Sequence, residues 1–174
     1  ICLIGKTNSG KSRLLNALTG TNAEVADYEF TTKKPEIGIM DYHGVKVQVV
    51  EIPAITENFE DSVMGPTYMS ILNHSDLIVL LFDDAKDKTF LDKELADVET
   101  RRLIYGNNDV DKFKDDIWKK LDIIKIYTKQ PGKEKDYPPM AFDKGSTLRE
   151  VAKKVHKDFL KSFKYAKVFG PSAK

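Results

Sequence analysis

The chain has 174 residues, 41% apolar and 32% charged, enough to bury one good core and a small second one. No window approaches the roughly 20 apolar residues that span a bilayer and no basic, apolar leader is present, so a membrane partner is excluded and a soluble, cytoplasmic protein is expected. A net charge of +1 hides an asymmetry: residues 1–121 carry 15 Lys+Arg against 21 Asp+Glu, whereas residues 122–174 carry 13 against 6.

In chain order, Ile1-Cys2-Leu3-Ile4 reads as a buried strand that already contains the first residue, so upstream residues are expected to have been lost. Cys2, the single cysteine, excludes an internal disulfide, suits a reducing compartment and reads as a strand residue facing the core. Next comes Gly5-Lys6-Thr7-Asn8-Ser9-Gly10-Lys11-Ser12, which fits G-x-x-x-x-G-K-[ST] at every fixed position. Arg13 to Leu18 then has helical spacing and stops at Gly20. Strand, glycine loop and helix in that order make a phosphate-binding unit: the glycines let successive N–H groups turn toward an anion and the helix adds its positive end. Lys11 would reach the β- and γ-phosphates and Ser12 would hold magnesium.

Residues 24–35 are polar and irregular and contain Tyr28-Glu29-Phe30-Thr31-Thr32, where a threonine could close over a γ-phosphate. Residues 37–42 and 45–50 predict a β-hairpin around His43-Gly44, with Val45, Val47 and Val49 on one face. It runs into Glu51-Ile52-Pro53-Ala54-Ile55, a place for a metal-side acid and a backbone N–H for the γ-phosphate. A loop and helix are expected over 56–73, then a buried strand from Leu77 to Phe82 ending at Asp83-Asp84. From 85 to 108 the chain is charged, with Leu91, Leu95 and Val98 as a thin stripe. Val110, Phe113, Ile117 and Leu121 predict a clear helix, with Trp118 packed on its flank.

Residues 122–174 read as a separate, basic unit. Strands are expected at 123–127, 140–142 and 165–169, and Thr147 and Glu150 form a capping box for a helix with the stripe Leu148, Val151, Ala152, Val155 and Phe159. That order is compatible with a β-grasp fold. Lysines at 153, 154, 157, 161, 164 and 167 decorate the helix and the segment after it; RNA contact and a solvated face both account for them. His43 and His156 need no role beyond the structure.

Together, Gly5 to Ser12, Tyr28 to Thr32, Glu51 to Ile55, the segment Ile126 to Lys133 and the basic tail Lys161 to Lys174 resemble the developmentally regulated GTP-binding proteins, an Obg-type branch of P-loop GTPases. The resemblance runs over about 1–100 and 107–174 and implies an α/β P-loop NTPase domain at 1–121, with a mostly parallel, incomplete sheet. A TGS domain of ubiquitin-like β-grasp fold is implied at 122–174. The resemblance also implies GTP and GDP as ligands, hydrolysis with Lys11 and Thr32 as catalytic residues, and magnesium held by Ser12, Thr32 and Glu51, Thr32 being preferred over Thr31. The nucleotide-binding set is Gly5, Lys6, Thr7, Asn8, Ser9, Gly10, Lys11, Ser12, Arg13, Thr31, Thr32, Glu51 and Ala54. Asn8 matches a position that holds potassium in stimulated relatives. A ribosome or other RNA, and a regulatory protein, are the implied partners.

The chain departs from that pattern in two ways. Asp-x-Pro-Gly is Glu51-Ile52-Pro53-Ala54 here, and Ile55 stands where some GTPases orient water with glutamine, so slow turnover is expected. No Asn-Lys-x-Asp segment lies between Asp84 and Ile123, and Asn108-Asp109-Val110-Asp111 is a poor stand-in. Segments near 99–107 are therefore expected to be missing, since each βαβ crossover needs a dozen residues or more. Two alternatives stay open: a P-loop ATPase with Asp83 on the metal, and a nucleotide-binding scaffold with little turnover.

Overall fold

The computed structural model describes residues 1–20, 24–25, 35–106, 109–156, 158, 160 and 165–170 and divides into two units, Ile1–Leu121 and Asp122–Lys174. In the first unit, β1 (Cys2–Gly5) is buried at all four positions, as a strand with a neighbour on each edge and both faces covered must be. It passes through the glycine loop into α1 (Lys11–Thr19), which turns Leu14, Leu15 and Leu18 inward. At Gly20 a φ of 68° ends the helix, and the Gly20 N–H reaches back to the Asn16 carbonyl.

After β2 (Glu24–Val25) comes the expected hairpin, β3 (Glu36–Tyr42) and β4 (Val45–Glu51). Its two turn residues, His43 and Gly44, have φ of 52° and 89°, the left-handed pair whose twist suits a two-residue hairpin. The register runs from Tyr42 opposite Val45 to Glu36 opposite Glu51. A short 3-10 turn at Phe59–Asp61 precedes α2 (Gly65–Asn73), the buried β5 (Ile78–Leu81), α3 (Ala85–Glu94), β6 (Arg102–Ile104) and α4 (Val110–Leu121). The sheet order is β2-β3-β4-β1-β5-β6, parallel except for the strand pairs β2–β3 and β3–β4. The carboxyl ends of β4, β1 and β5 therefore lie side by side, where such sheets hold ligands.

The sequence pattern predicts no strand between Asp84 and Ile123, and β6 corrects that expectation. Three residues headed by an arginine give no apolar run. Arg102 is accommodated because its guanidinium turns back to donate to the carbonyls of Leu95 and Val98. The stripe of Leu91, Leu95 and Val98 is buried under the sheet. In α4, Phe113, Ile117 and Leu121 are buried and Trp118 stacks on Tyr42 with ring centroids 4.7 Å apart. Desolvation, together with the hydrogen bond that the Tyr42 hydroxyl donates to Asp115 at 2.7 Å, pushes the Tyr42 pKa up to about 12.

The second unit pairs β7 (Ile123–Ile126) antiparallel with β8 (Met140–Asp143) and adds α5 (Leu148–Val155), whose capping box forms as expected. Tyr165–Phe169 is not the expected strand: the segment is irregular, and Tyr165 and Phe169 are 78% and 84% exposed. Its alternation suits a strand, but a strand needs a neighbour for its backbone groups. The expected stripe residue Phe159 lies outside the described residues. Among the described residues, no helix is long and apolar enough to cross a membrane.

Candidate nucleotide site

The glycine loop has the shape the motif requires. Gly5 cannot carry a side chain, because a Cβ there would overlap the Leu81 carbonyl oxygen of β5 and the Ser9 hydroxyl. Asn8 and Gly10 take φ of 63° and 88°, the successive bends that curl the loop. Lys11 is buried, and its ammonium donates to the carbonyls of Gly5 at 3.2 Å and Lys6 at 2.8 Å. Burial lowers its pKa, with nearby Glu51 acting in the opposite direction.

Two backbone bonds bring the end of β4 alongside: Ile52 N–H to Leu3 at 3.1 Å and Ile55 N–H to Gly5 at 3.2 Å. The Ser12 hydroxyl donates to Glu51 Oε1 at 2.9 Å, while Glu51 Oε2 and Ser9 Oγ are buried with no hydrogen-bond partner among the described residues. Desolvation raises the Glu51 pKa despite the Ser12 hydrogen bond and Lys11, and Glu36 adds to the rise. The Ser12 hydroxyl and the Glu51 carboxylate, one of whose two oxygens is orphaned, are all-oxygen donors that fit a hard divalent cation such as magnesium.

These groups line a cavity of about 420 Å³, with Thr7, Asn8, Ser9, Gly10, Lys11, Ser12 and Arg13 on one side and Glu36, Glu51, Pro53 and Ala54 on the other. Most of the expected binding set thus comes together. Gly5 and Lys6 are not among the residues that line this cavity, and the Lys6 side chain is engaged elsewhere. Its ammonium pairs with Asp87 at 2.6 Å and lies 4.5 Å from the centre of the Phe90 ring. Thr31 and Thr32 lie outside the described residues. Glu36 was missed, although the hairpin register signals it: a two-residue turn at 43–44 sets Glu36 opposite Glu51.

The substituted positions behave differently. Ile55 is buried in the core with Phe59 and Tyr68, so it faces no substrate water. Among the described residues the non-glycine left-handed positions are Asn8, His43, Asn58 and Asp122, so Ala54 has an ordinary backbone. Asp83 is exposed and does not line the cavity. Asp109 accepts the Lys112 N–H at 3.0 Å at the start of α4, a structural use for the stand-in segment's acid.

A family model described as 50S ribosome-binding GTPase matches residues 1–108, and the TGS domain model matches residues 124–173. The chain belongs to this GTPase family and carries a TGS domain. Developmentally-regulated G-protein 3 of Arabidopsis thaliana is 26% identical over 276 residues, covering 99% of this chain and 75% of that protein. Developmentally-regulated G-protein 2 of the same plant is 37% identical over 105 residues, covering 58% of this chain and 26% of that protein. Among solved structures, the G domain of the T. maritima FeoB iron transporter is similar with a TM-score of 0.52 and 26% identity, over 59% of this chain and 67% of that one. The GTPase with a TGS domain is thus a GTP-binding protein of the developmentally regulated type. The 276-residue alignment is far longer than the 174-residue chain, so part of the Arabidopsis protein has no counterpart here.

Proposed function

We propose that this chain binds GTP with magnesium in the cavity of the glycine loop, hydrolyses it slowly to GDP and phosphate, and acts as a cytoplasmic switch on a ribosome or another RNA assembly. The observation that carries the reading is the meeting of Lys11, Ser12, Glu51 and Ala54 around one cavity. Lys11 leaves its two loop carbonyls for the phosphates, and the Ala54 N–H is offered to the γ-phosphate. Ser12 and Glu51 hold the magnesium, with Thr32 expected to join them; the ion, when bound, neutralises charge on the phosphate oxygens. Asn8 is the residue through which potassium would act.

Slow turnover is supported by the burial of Ile55, which leaves no side chain there to orient water. Glu51 supports a GTPase over an ATPase with Asp83 on the metal, because Glu51 is the acid that reaches Ser12. Relatives longer than this chain support the reading that base-recognising segments are missing here, near residues 99–107. The basic unit would select an RNA partner, although Lys154 is engaged locally, donating to the Ala141 carbonyl at 2.9 Å and covering the Phe142 ring. A regulatory protein would accelerate the switch.

Competitive binding of GTP, GDP and ATP with magnesium tests the reading, on this chain and on the longest natural form containing it. Guanine-selective binding by the longer form is expected, with Lys11→Ala weakening the binding of every nucleotide. Equal ATP and GTP binding by both forms refutes it. Turnover no faster than that of Lys11→Ala would favour the scaffold alternative, and equal turnover in potassium and sodium would remove the Asn8 role.

A further inference from the structure

Lys6 is the first variable residue of the glycine loop, and its backbone and side chain do different things. Its carbonyl accepts the Lys11 ammonium at 2.8 Å, so the placement of Lys6 sets where the phosphate lysine rests before it moves to a phosphate. Its side chain leaves the cavity for α3, pairing with Asp87 at 2.6 Å and covering the Phe90 ring. The pair is partly shielded, with side-chain exposures of 41% and 23%. Asp87 is itself held: its N–H donates to Asp84 at 2.8 Å in the N-cap of α3. The loop is therefore tied to a capped helix, and Phe90 packs on the core cluster that contains Ile55 and Phe59.

The same helix also holds the segment that follows the other wall of the site. Glu94 Oε2 accepts the Phe59 N–H at 2.9 Å, just after Asn58 takes a left-handed φ of 53°. Phe59 follows Ala54 by five residues. Asp87, Phe90 and Glu94 are spaced three and four apart, which puts them on one face of a helix.

We propose that α3 is a two-point anchor for the nucleotide site. Asp87 fixes the glycine loop through Lys6, and Glu94 fixes the turn after Ala54 through the Phe59 N–H. This makes Lys6, Asp87 and Glu94 positioning residues for phosphate binding; none of them touches the nucleotide. The inference rests on the reading that the cavity takes a nucleoside triphosphate. Its first arm predicts that residues 6 and 87 act as one unit in nucleotide affinity. Its second predicts that residue 94 bears on the distinction between GTP and GDP, because the turn it holds follows five residues after Ala54, whose N–H is assigned to the γ-phosphate.

The test is a double-mutant cycle read by GTP and GDP affinity in the 174-residue chain, with Lys11→Ala alongside and unfolding midpoints for every variant. Lys6→Met and Asp87→Asn are each expected to weaken binding by about fivefold. The double variant should be no weaker than either single one. Lys6→Arg should recover most of the loss. Glu94→Ala should lower the GTP-to-GDP affinity ratio, and Glu94→Gln, which keeps an acceptor, should restore it. Additive losses at 6 and 87, unchanged affinity in both single variants, or an unchanged ratio in Glu94→Ala would overturn the anchor. If Lys6→Met fails to fold, Asp87→Asn and Lys6→Arg still decide the first arm. Failure of Lys11→Ala to weaken binding would instead sink the nucleotide reading itself.

Discussion

At the scale of single residues, position 5 shows how a motif letter becomes a packing constraint. Ala at Gly5 must displace the backbone carbonyl of Leu81 in a buried strand, or the Ser9 hydroxyl behind the loop. Gly5→Ala is expected to cost about 1–3 kcal/mol, as overpacking does, and to weaken nucleotide binding as well. Gly20→Ala meets no described atom within 4 Å and violates only a φ of 68°, so about 1 kcal/mol is expected, with binding intact. Urea midpoints and nucleotide titrations of the two variants check the contrast; equal effects on binding would mean the loop tolerates a methyl group. Ala54 calls for the opposite change. Its backbone is not left-handed here, and Ala54→Gly would open that region to it, so faster phosphate release is expected if closure over the γ-phosphate needs it. Lys11 and Ser12 were legible from the sequence because motif spacing fixes them, and Glu51 because the second hairpin strand runs into it. The Lys6 side chain was not, because the motif constrains its backbone while its partner Asp87 is 81 residues away.

At the scale of elements, legibility followed local chemistry. The β3–β4 hairpin and the α5 capping box are written in neighbouring residues, and both form. β6 is invisible in the sequence because it owes its existence to β5, to which Arg102, Leu103 and Ile104 are parallel partners. Tyr165–Phe169 shows the converse, a strand-like pattern without a strand. The capping box yields a prediction with a definite sign. The Thr147 backbone N–H, and then its hydroxyl, hold the Glu150 carboxyl below its ordinary value of 4.5. A depressed folded pKa means that the stabilisation is fully present above pH 4.5 and is lost as pH falls through the lower, folded value. Helical ellipticity of α5 should therefore persist through pH 4.5 and fade below it. In Thr147→Ala, which costs the cap about 1 kcal/mol, the Glu150 carboxyl should titrate closer to 4.5. Carboxyl chemical shifts followed by NMR read both; a Glu150 midpoint that does not move in the variant would refute the assignment.

At the scale of the whole molecule, the two units have unequal means of staying folded. The first buries the sheet, the Leu91-Leu95-Val98 stripe and one face of α4. Among the described residues of the second, the buried apolar side chains are Pro139, Phe142 and Ala152. A domain with so little buried apolar surface has little to set against conformational entropy, so the second unit should unfold at lower denaturant than the first. The chain provides its own probe. Trp118 is the only tryptophan and stacks on Tyr42 within the first unit, so its fluorescence reports α4 on the hairpin. Far-UV ellipticity sees the helices of both. A urea titration should give an ellipticity loss that begins before the fluorescence change, and Thr147→Ala should move only that early part. Trp118→Phe would abolish the late optical signal without altering the early one. Coincident transitions by both probes, shifted together by Thr147→Ala, would instead mean that the GTPase and TGS units unfold as one cooperative body, because a stability change in one unit reaches the other only if they share a transition.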